Sequence, residues 1–210
     1  MLKSIPSSGA RLDPDLIEKF LVATFMTVLA ARLIPAVLST GALPPLLLLM
    51  SEGLVVLFIL LRRPTRDISQ RGYDWVIGLT GTLLPLLAVA PRGTSLLPHQ
   101  LCELIIAGGL LFHLWAKLTL RRSFGVVAAN RGIKANGPYR IVRHPMYAGY
   151  VVTHIGFVLA GPVLWNLAIY GATLLIQTRR ILAEERMLMQ DPAYRALAER
   201  VRYRLLPRVF

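Results

Sequence analysis

This chain of 210 residues has a single cysteine, Cys102. One thiol excludes an intrachain disulfide and any zinc site built on paired cysteines. It reads instead as a small apolar position in a helix. Acids are scarce too, with 11 Asp and Glu against 24 Lys and Arg. His, Cys and carboxylate residues nowhere fall at the tight spacing a metal needs, so no metal ligands are assigned. Charged residues of both signs make up only 17% of the chain while 55% is apolar, and mean hydropathy is +0.56. That balance excludes an ordinary soluble domain of this length. No stretch outside the apolar runs is long enough for a separate globular domain. Residues 1–11 lack the apolar core and cleavage site of a secretory signal and read as a short polar tail. There is no internal repeat.

What fills the chain is a series of apolar runs near the roughly 20 residues that span a bilayer. Six can be traced: 20–38, interrupted by Arg32 and Pro35; 41–61, with one acid, Glu52; 73–90, kinked or ended by Pro85; 96–120, carrying His99, Glu103, His113 and Lys117; 145–160; and 163–189, set off by Gly161-Pro162. The expected fold is all-α: a polytopic integral membrane protein of about six helices, with residues 191–210 adding a mixed apolar and basic interfacial helix. The fifth run has 16 residues, roughly 24 Å of helix against a hydrocarbon core of roughly 30 Å. The fifth and sixth are therefore expected to form a hairpin, whether or not it crosses fully. Residues 1–120 read as an N-terminal membrane unit and 121–210 as the functional unit.

The net charge of +13 would suggest nucleic acid in a soluble protein. Here it gathers at helix ends, so anionic lipid headgroups are the simpler partners and no nucleic acid is expected. Arg62, Arg63, Arg66 and Arg71 follow the second run. Arg121, Arg122, Arg131, Lys134, Arg140 and Arg143 lie between the fourth and fifth, and Arg195, Arg200, Arg202, Arg204 and Arg208 lie in the tail. Six crossings put all three groups, and both termini, on the cytoplasmic face of a multi-pass protein, as in a bacterial cytoplasmic membrane. Arg32 and Glu52 are costly inside a membrane and are expected to face the bundle interior or each other. His113 and His154 read as packed histidines, and Gly78, Gly81, Gly108 and Gly109 as points of close helix contact.

The most informative stretch is Asn136-Gly137-Pro138-Tyr139-Arg140-Ile141-Val142-Arg143-His144-Pro145-Met146-Tyr147-Ala148-Gly149. Gly137-Pro138 makes a turn. Pro145 suits the first turn of a helix, which puts Arg143 and His144 beside its N-terminal N–H donors and dipole. Residue chemistry alone leaves two readings open: a site for an anionic or aromatic ligand, or a basic loop gripping headgroups. A second polar run, Gln177-Thr178-Arg179-Arg180-Ile181-Leu182-Ala183-Glu184-Glu185-Arg186, ends the sixth segment on the same membrane face. Arg180 and Glu184 are four apart and share a helix face. An Arg, a carboxylate, a His and two tyrosines could thus converge.

Taken together, Gly137, Tyr139, Arg143, His144, Pro145, Tyr147, Gly149, Arg180, Glu184, Glu185, Tyr194 and Pro207 resemble the pattern of the isoprenylcysteine carboxyl methyltransferase family and its phospholipid methyltransferase relatives. The resemblance covers roughly residues 130–210. It implies an S-adenosylmethionine-dependent methyltransferase working on amphiphilic acceptors at the membrane surface. By resemblance, Ile133, Lys134, Tyr139, His144, Pro145, Met146, Tyr147 and Glu184 would bind the cofactor, Arg180 would face the acceptor, and Arg180 and Arg143 are the expected catalytic pair. The family often has a Tyr three residues after Tyr194, where this chain has Leu197, so a polar contact from the tail at that position is not expected.

These residue types suit in-line displacement at a sulfonium, which needs alignment and exclusion of water more than a strong base. Acidic and aromatic groups suit the cationic end of the cofactor. Lys134, Arg143 or a helix N-terminus suits its carboxylate. A lipophilic or small carboxylate, a thiol or a phospholipid amine all remain open as acceptor, with membrane lipids as the other partners. Two other classes also stay open: an NADPH-dependent sterol or steroid reductase, whose C-terminal region is similar, and a non-enzymatic lipid-binding protein.

Overall fold

The computed structural model describes residues 14–40, 43–61, 65 and 67–210. Among them are seven α-helices: α1 Pro14–Thr40, α2 Leu43–Leu61, α3 Gly72–Leu83, α4 His99–Leu120, α5 Pro145–Ala160, α6 Leu164–Leu188 and α7 Pro192–Arg200. Prolines place several of the boundaries. Pro98 precedes α4, and Pro145 and Pro192 open α5 and α7, where the missing N–H costs nothing. Pro85 converts the end of α3 into a 3-10 turn, Leu84–Leu87, as expected of the third run. Gly161-Pro162 separates α5 from α6. Pro35 lies inside α1 without ending it. The Asp191 carboxylate caps α7 by accepting from the Ala193 N–H at 2.9 Å.

α1 packs on α2, α2 on α4, α4 on α5, and α6 on α3. The α4–α5 contact is the most extensive, and glycine makes it possible. A Cβ on Gly109 would come within 2.7 Å of the Thr153 nitrogen, one on Gly149 within 2.6 Å of His113 Cβ, and one on Gly156 within 2.8 Å of Ile106. Backbones this close exchange dispersion contacts, the main attraction between helices in lipid. Gly78 and Gly81 also sit tightly, against Val126 and Ile176, so Gly78 admits a loop rather than a helix. Gly108, expected at a helix contact, instead points into open space: a Cβ there meets nothing within 4 Å. It is one step, about 100°, around α4 from the buried Gly109.

α1 and α4 are long and apolar enough to cross a membrane, and α2 and α5 are shorter apolar helices. Leu38, Leu104, Leu164 and Leu175 stand exposed on helix surfaces, as lipid-facing side chains would. α6 turns polar at its end, so its residues from Arg179 onward lie beyond its apolar part. Buried polar groups tie the helices together. Lys117 of α4 donates to the Ser51 carbonyl and hydroxyl of α2 at 3.2 and 2.8 Å. Asn166 of α6 exchanges two hydrogen bonds with the Val89 backbone. His113 is packed and hydrogen-bonded, its Nδ1 lying 3.0 Å from the Met146 carbonyl. Cys102 is buried in α4, outside any disulfide, with its thiol donating to the Leu97 carbonyl at 3.7 Å. The side chains of Arg32 and Glu52, and residues Arg62, Arg63 and Arg66, lie outside the described residues.

Two chain segments pair without forming a strand. Ser69 N–H donates to the Ala128 carbonyl and Asn130 N–H to the Asp67 carbonyl, around an antiparallel bridge between Ile68 and Ala129. This fixes residues 124–131, which become one wall of the site.

Candidate functional site

Gly137 adopts a φ of +56°, a region that disfavours side chains. It starts the 3-10 turn Gly137–Arg140, which buries Pro138 and Tyr139. The chain then runs to His144, the N-cap of α5. Arg143 and His144 do stand at the helix N-terminus, but their own N–H groups are not free. The C-terminal tail takes both, through the Tyr203 carbonyl at 2.9 Å and the Arg204 carbonyl at 2.8 Å. The tail thus pins the motif by its backbone, a contact that no side-chain pattern announces.

A recess opens where this turn, the start of α5, the end of α6 and α7 meet. It holds a cavity of about 110 Å³ and measures about 780 Å³ counted out to its open mouth. Ile133, Lys134, Tyr139, Arg143, His144, Met146, Tyr147, Arg180 and Glu184 all line it. Nine of the ten residues singled out from the sequence therefore converge on one space. The tenth, Pro145, is buried and sets the first turn of α5 without lining the recess.

Glu184 is the acid that faces the recess. Tyr147 donates its hydroxyl to Glu184 Oε1, Arg180 Nε lies 3.4 Å from that oxygen, and His144 Nδ1 lies 3.6 Å from Oε2. Arg180 is held from three sides besides. Its Nη2 donates to the Val126 carbonyl at 2.8 Å, its Nη1 to the Thr82 hydroxyl at 3.4 Å, and its guanidinium sits 5.3 Å from the centre of the Tyr147 ring.

Glu185, one residue on, turns away from the recess into a buried network. Arg143 Nε lies 2.8 Å from Oε1, Tyr194 donates its hydroxyl to the same oxygen at 3.1 Å, and His144 Nε2 is 3.3 Å from it. Arg204 donates to Oε2 at 2.7 Å. Burial by itself would raise this carboxyl's pKa. The hydrogen bonds from His144 and Arg204 and the charge of Arg143 outweigh it and hold the pKa at about 2. His144 therefore bridges the two neighbouring acids, one nitrogen toward each. Burial, reinforced by nearby carboxylate charge, raises the Tyr139 and Tyr194 hydroxyls above their ordinary pKa, so both stay neutral.

Sequence reasoning left three features out. Glu185 was visible as part of the motif but had no role. Residues 124–131 form a wall of the recess through Phe124, Gly125, Val127, Ala129 and Arg131; their signal was an apolar run inside an otherwise basic loop. That wall is held in turn by Glu18 of α1, which is fully buried. Its Oε1 accepts from the Val126 and Val127 N–H groups at 2.5 and 3.0 Å, and its Oε2 pairs with Arg131 at 3.0 Å. Leu197 is buried and lines the recess with an apolar surface, so α7 presents no polar group at that position.

A second cavity, of about 350 Å³, lies deeper between the helices. Its walls are mostly apolar, among them Leu29, Leu48, Leu86, Ile106, Leu110 and Phe157, with Thr82, Tyr150, Thr153, His154, Tyr170 and Gln177 as polar exceptions. Arg180 lines both spaces. Among the described residues no group of His, Cys, Asp or Glu is arranged to hold a metal ion.

Residues 98–194 match the family model described as phospholipid methyltransferase. The match spans α4 to the start of α7 and contains the turn, the α5 motif and both glutamates. No curated protein matches the chain significantly.

Proposed function

We propose that this protein is an integral membrane methyltransferase that uses S-adenosylmethionine to methylate an amphiphilic acceptor at the cytoplasmic membrane face. The observation that carries this reading is the placement of Arg180 between a polar, carboxylate-bearing recess and an apolar cavity. The phospholipid methyltransferase match over residues 98–194 supports methyl transfer over the reductase reading. The basic loops flanking the motif support the cytoplasmic side and the six-crossing topology.

The donor set of the recess fits S-adenosylmethionine. Tyr139, Tyr147 and Met146 offer flat and polarisable surface, Glu184 a carboxylate for cationic groups, and Lys134 and Arg143 cations for a carboxylate. Bound there, the cofactor would supply a methyl group activated on a positively charged sulfur. The protein's own part is positional. Tyr147, Arg180 and His144 hold Glu184 toward the recess. Arg180, fixed by Val126 and Thr82, presents its charge at the boundary where an anionic acceptor group would stop. The apolar cavity behind it takes the acceptor's tail and keeps water from the reacting atoms. An acceptor oxygen, sulfur or nitrogen held at Arg180 would face that methyl group across the boundary of the two spaces. A carboxylate or thiolate acceptor, as in an isoprenylcysteine carboxyl methyltransferase, leaves no proton to remove, in keeping with the few acids at the site.

The test is calorimetric titration of the purified protein. S-adenosylmethionine and S-adenosylhomocysteine are expected to bind and NADPH is not. Binding of NADPH in place of both would overturn the reading.

A further inference from the structure

Gln177 lies one turn before Arg180 on the same face of α6 and lines the apolar cavity but not the recess. It is 5% exposed. Its Nε2 donates to the Gly81 carbonyl of α3 at 3.1 Å, which fixes the orientation of the amide. Its Oε1 has no hydrogen-bond partner among the described residues. A buried carbonyl oxygen locked in place and left without a donor is costly in a membrane interior. A ligand group that supplies the donor removes that cost.

Resting on the methyltransferase reading above, we propose that Gln177 is a specificity-determining residue that accepts a hydrogen bond from an N–H or O–H on the tail side of the acceptor's reacting group. The order of groups along α6 sets the order along the acceptor. Glu184 marks the recess, Arg180 the boundary, and Gln177 the start of the apolar cavity. The acceptor then reads, from the membrane surface inward, as a reacting group at Arg180, a hydrogen-bond donor next to it on the tail side, and an apolar chain. A carboxylate or phosphate cannot satisfy Gln177, because it offers only acceptor oxygens when ionised. A plain fatty acid therefore leaves the site incomplete, whereas an acylated amino acid, with an amide N–H beside its carboxylate, completes it. At about 350 Å³ the cavity is at the small end of ligand sites, which run from about 300 to 1,000 Å³. That favours one apolar chain over two.

The experiment uses two probes of nearly identical shape. N-dodecanoylglycine carries the amide N–H, and O-dodecanoylglycolate carries an ester oxygen in its place. Binding of each to the solubilised protein is measured by calorimetry, with and without S-adenosylhomocysteine. The wild type is expected to bind the amide about tenfold more tightly than the ester. Gln177→Met is expected to bring that ratio near one while S-adenosylhomocysteine affinity is kept, which also reports that the variant is folded. If Gln177→Met does not fold, Gln177→Asn, whose oxygen is drawn back by one methylene, takes its place and is expected to lower the ratio. A wild-type ratio near one, a preference that survives the substitution, or failure of both probes to bind overturns the proposal. Loss of S-adenosylhomocysteine binding in the wild type strikes the parent reading instead, and the ratio measured without it still decides the role of Gln177.

Discussion

The two cavities that meet at Arg180 are built on opposite principles. In the recess and the buried network behind it, charged side chains answer one another: Glu184 with Arg180 and His144 at the recess, Glu185 with Arg143 and Arg204 behind it. In the deeper cavity, apolar walls are interrupted by a few polar groups, and aromatic rings stack rather than pair by charge. His154 lies 4.2 Å from Tyr170, nearly parallel to it. A polar network holds groups at fixed positions because each buried charge is expensive to misplace. An apolar cavity fixes little beyond size. Under the proposed function, the first would align a reactive, charged ligand and the second would sort a hydrocarbon tail.

The division can be broken at its boundary, where the largest effect is expected. Arg180→Lys keeps the charge but loses the planar fork that engages Val126 and Thr82 at once. Turnover is expected to fall about a hundredfold, the order seen when a fixed charge-stabilising donor is lost. Affinity for S-adenosylhomocysteine should hardly change. Glu184→Gln should do the reverse, weakening S-adenosylhomocysteine about tenfold, or ~1.4 kcal/mol. Methyl-transfer kinetics beside calorimetric titration read both. Should Arg180→Lys lose cofactor affinity while Glu184→Gln keeps it, the two spaces have been assigned to the wrong ligands.

Much of this was legible before any coordinates. Pro145 and Gly161-Pro162 marked both ends of α5 and the approach to α6, because a residue without an N–H has few places in a helix. The fourth apolar run extends through Pro98 from residue 96, whereas α4 opens only after that proline, at His99. The spacing of four between Arg180 and Glu184 gave their shared face. Other features rest on information that local pattern does not hold. Glu184 and Glu185 are adjacent, about 100° apart around the helix, and only packing decides that the first faces the recess and the second the buried network. Gly108 and Gly109 differ in the same way. Glu18 meets Val126 across 108 positions of sequence, and nothing in either segment alone points to the other.

Glu185 sharpens the comparison by separating structure from ligand contact. Its carboxyl, normally near 4.5, is held at about 2 in the folded protein. A folded pKa below the unfolded one means stability that is present above about 4.5 and lost as pH falls toward 2. Glu185→Gln is expected to lower stability near neutral pH by on the order of 1.4 kcal/mol, allowing for screening around the half-exposed Arg204. It should also flatten the acid side of the stability curve. Thermal unfolding between pH 6 and 3 checks both. An unchanged acid slope in the variant would show that Glu185 does not hold the tail and the α5 motif together.

The smallest effect is expected farthest from the reacting groups, at Glu18. This carboxylate reaches from α1 to the Val126 and Val127 N–H groups and to Arg131, and so holds the wall of the recess from behind. Val126 in turn offers its carbonyl to Arg180. Glu18→Gln keeps an oxygen for the two N–H groups and gives up the ionic pairing with Arg131. The wall should loosen without losing its shape. KM for S-adenosylmethionine is expected to rise about threefold, equivalent to ~0.7 kcal/mol of binding, with kcat little changed and KM for the acceptor unaffected. The assignment of the wall to the recess alone fails if acceptor KM rises instead, because Arg180 would then have carried the disturbance through Val126 into the apolar cavity.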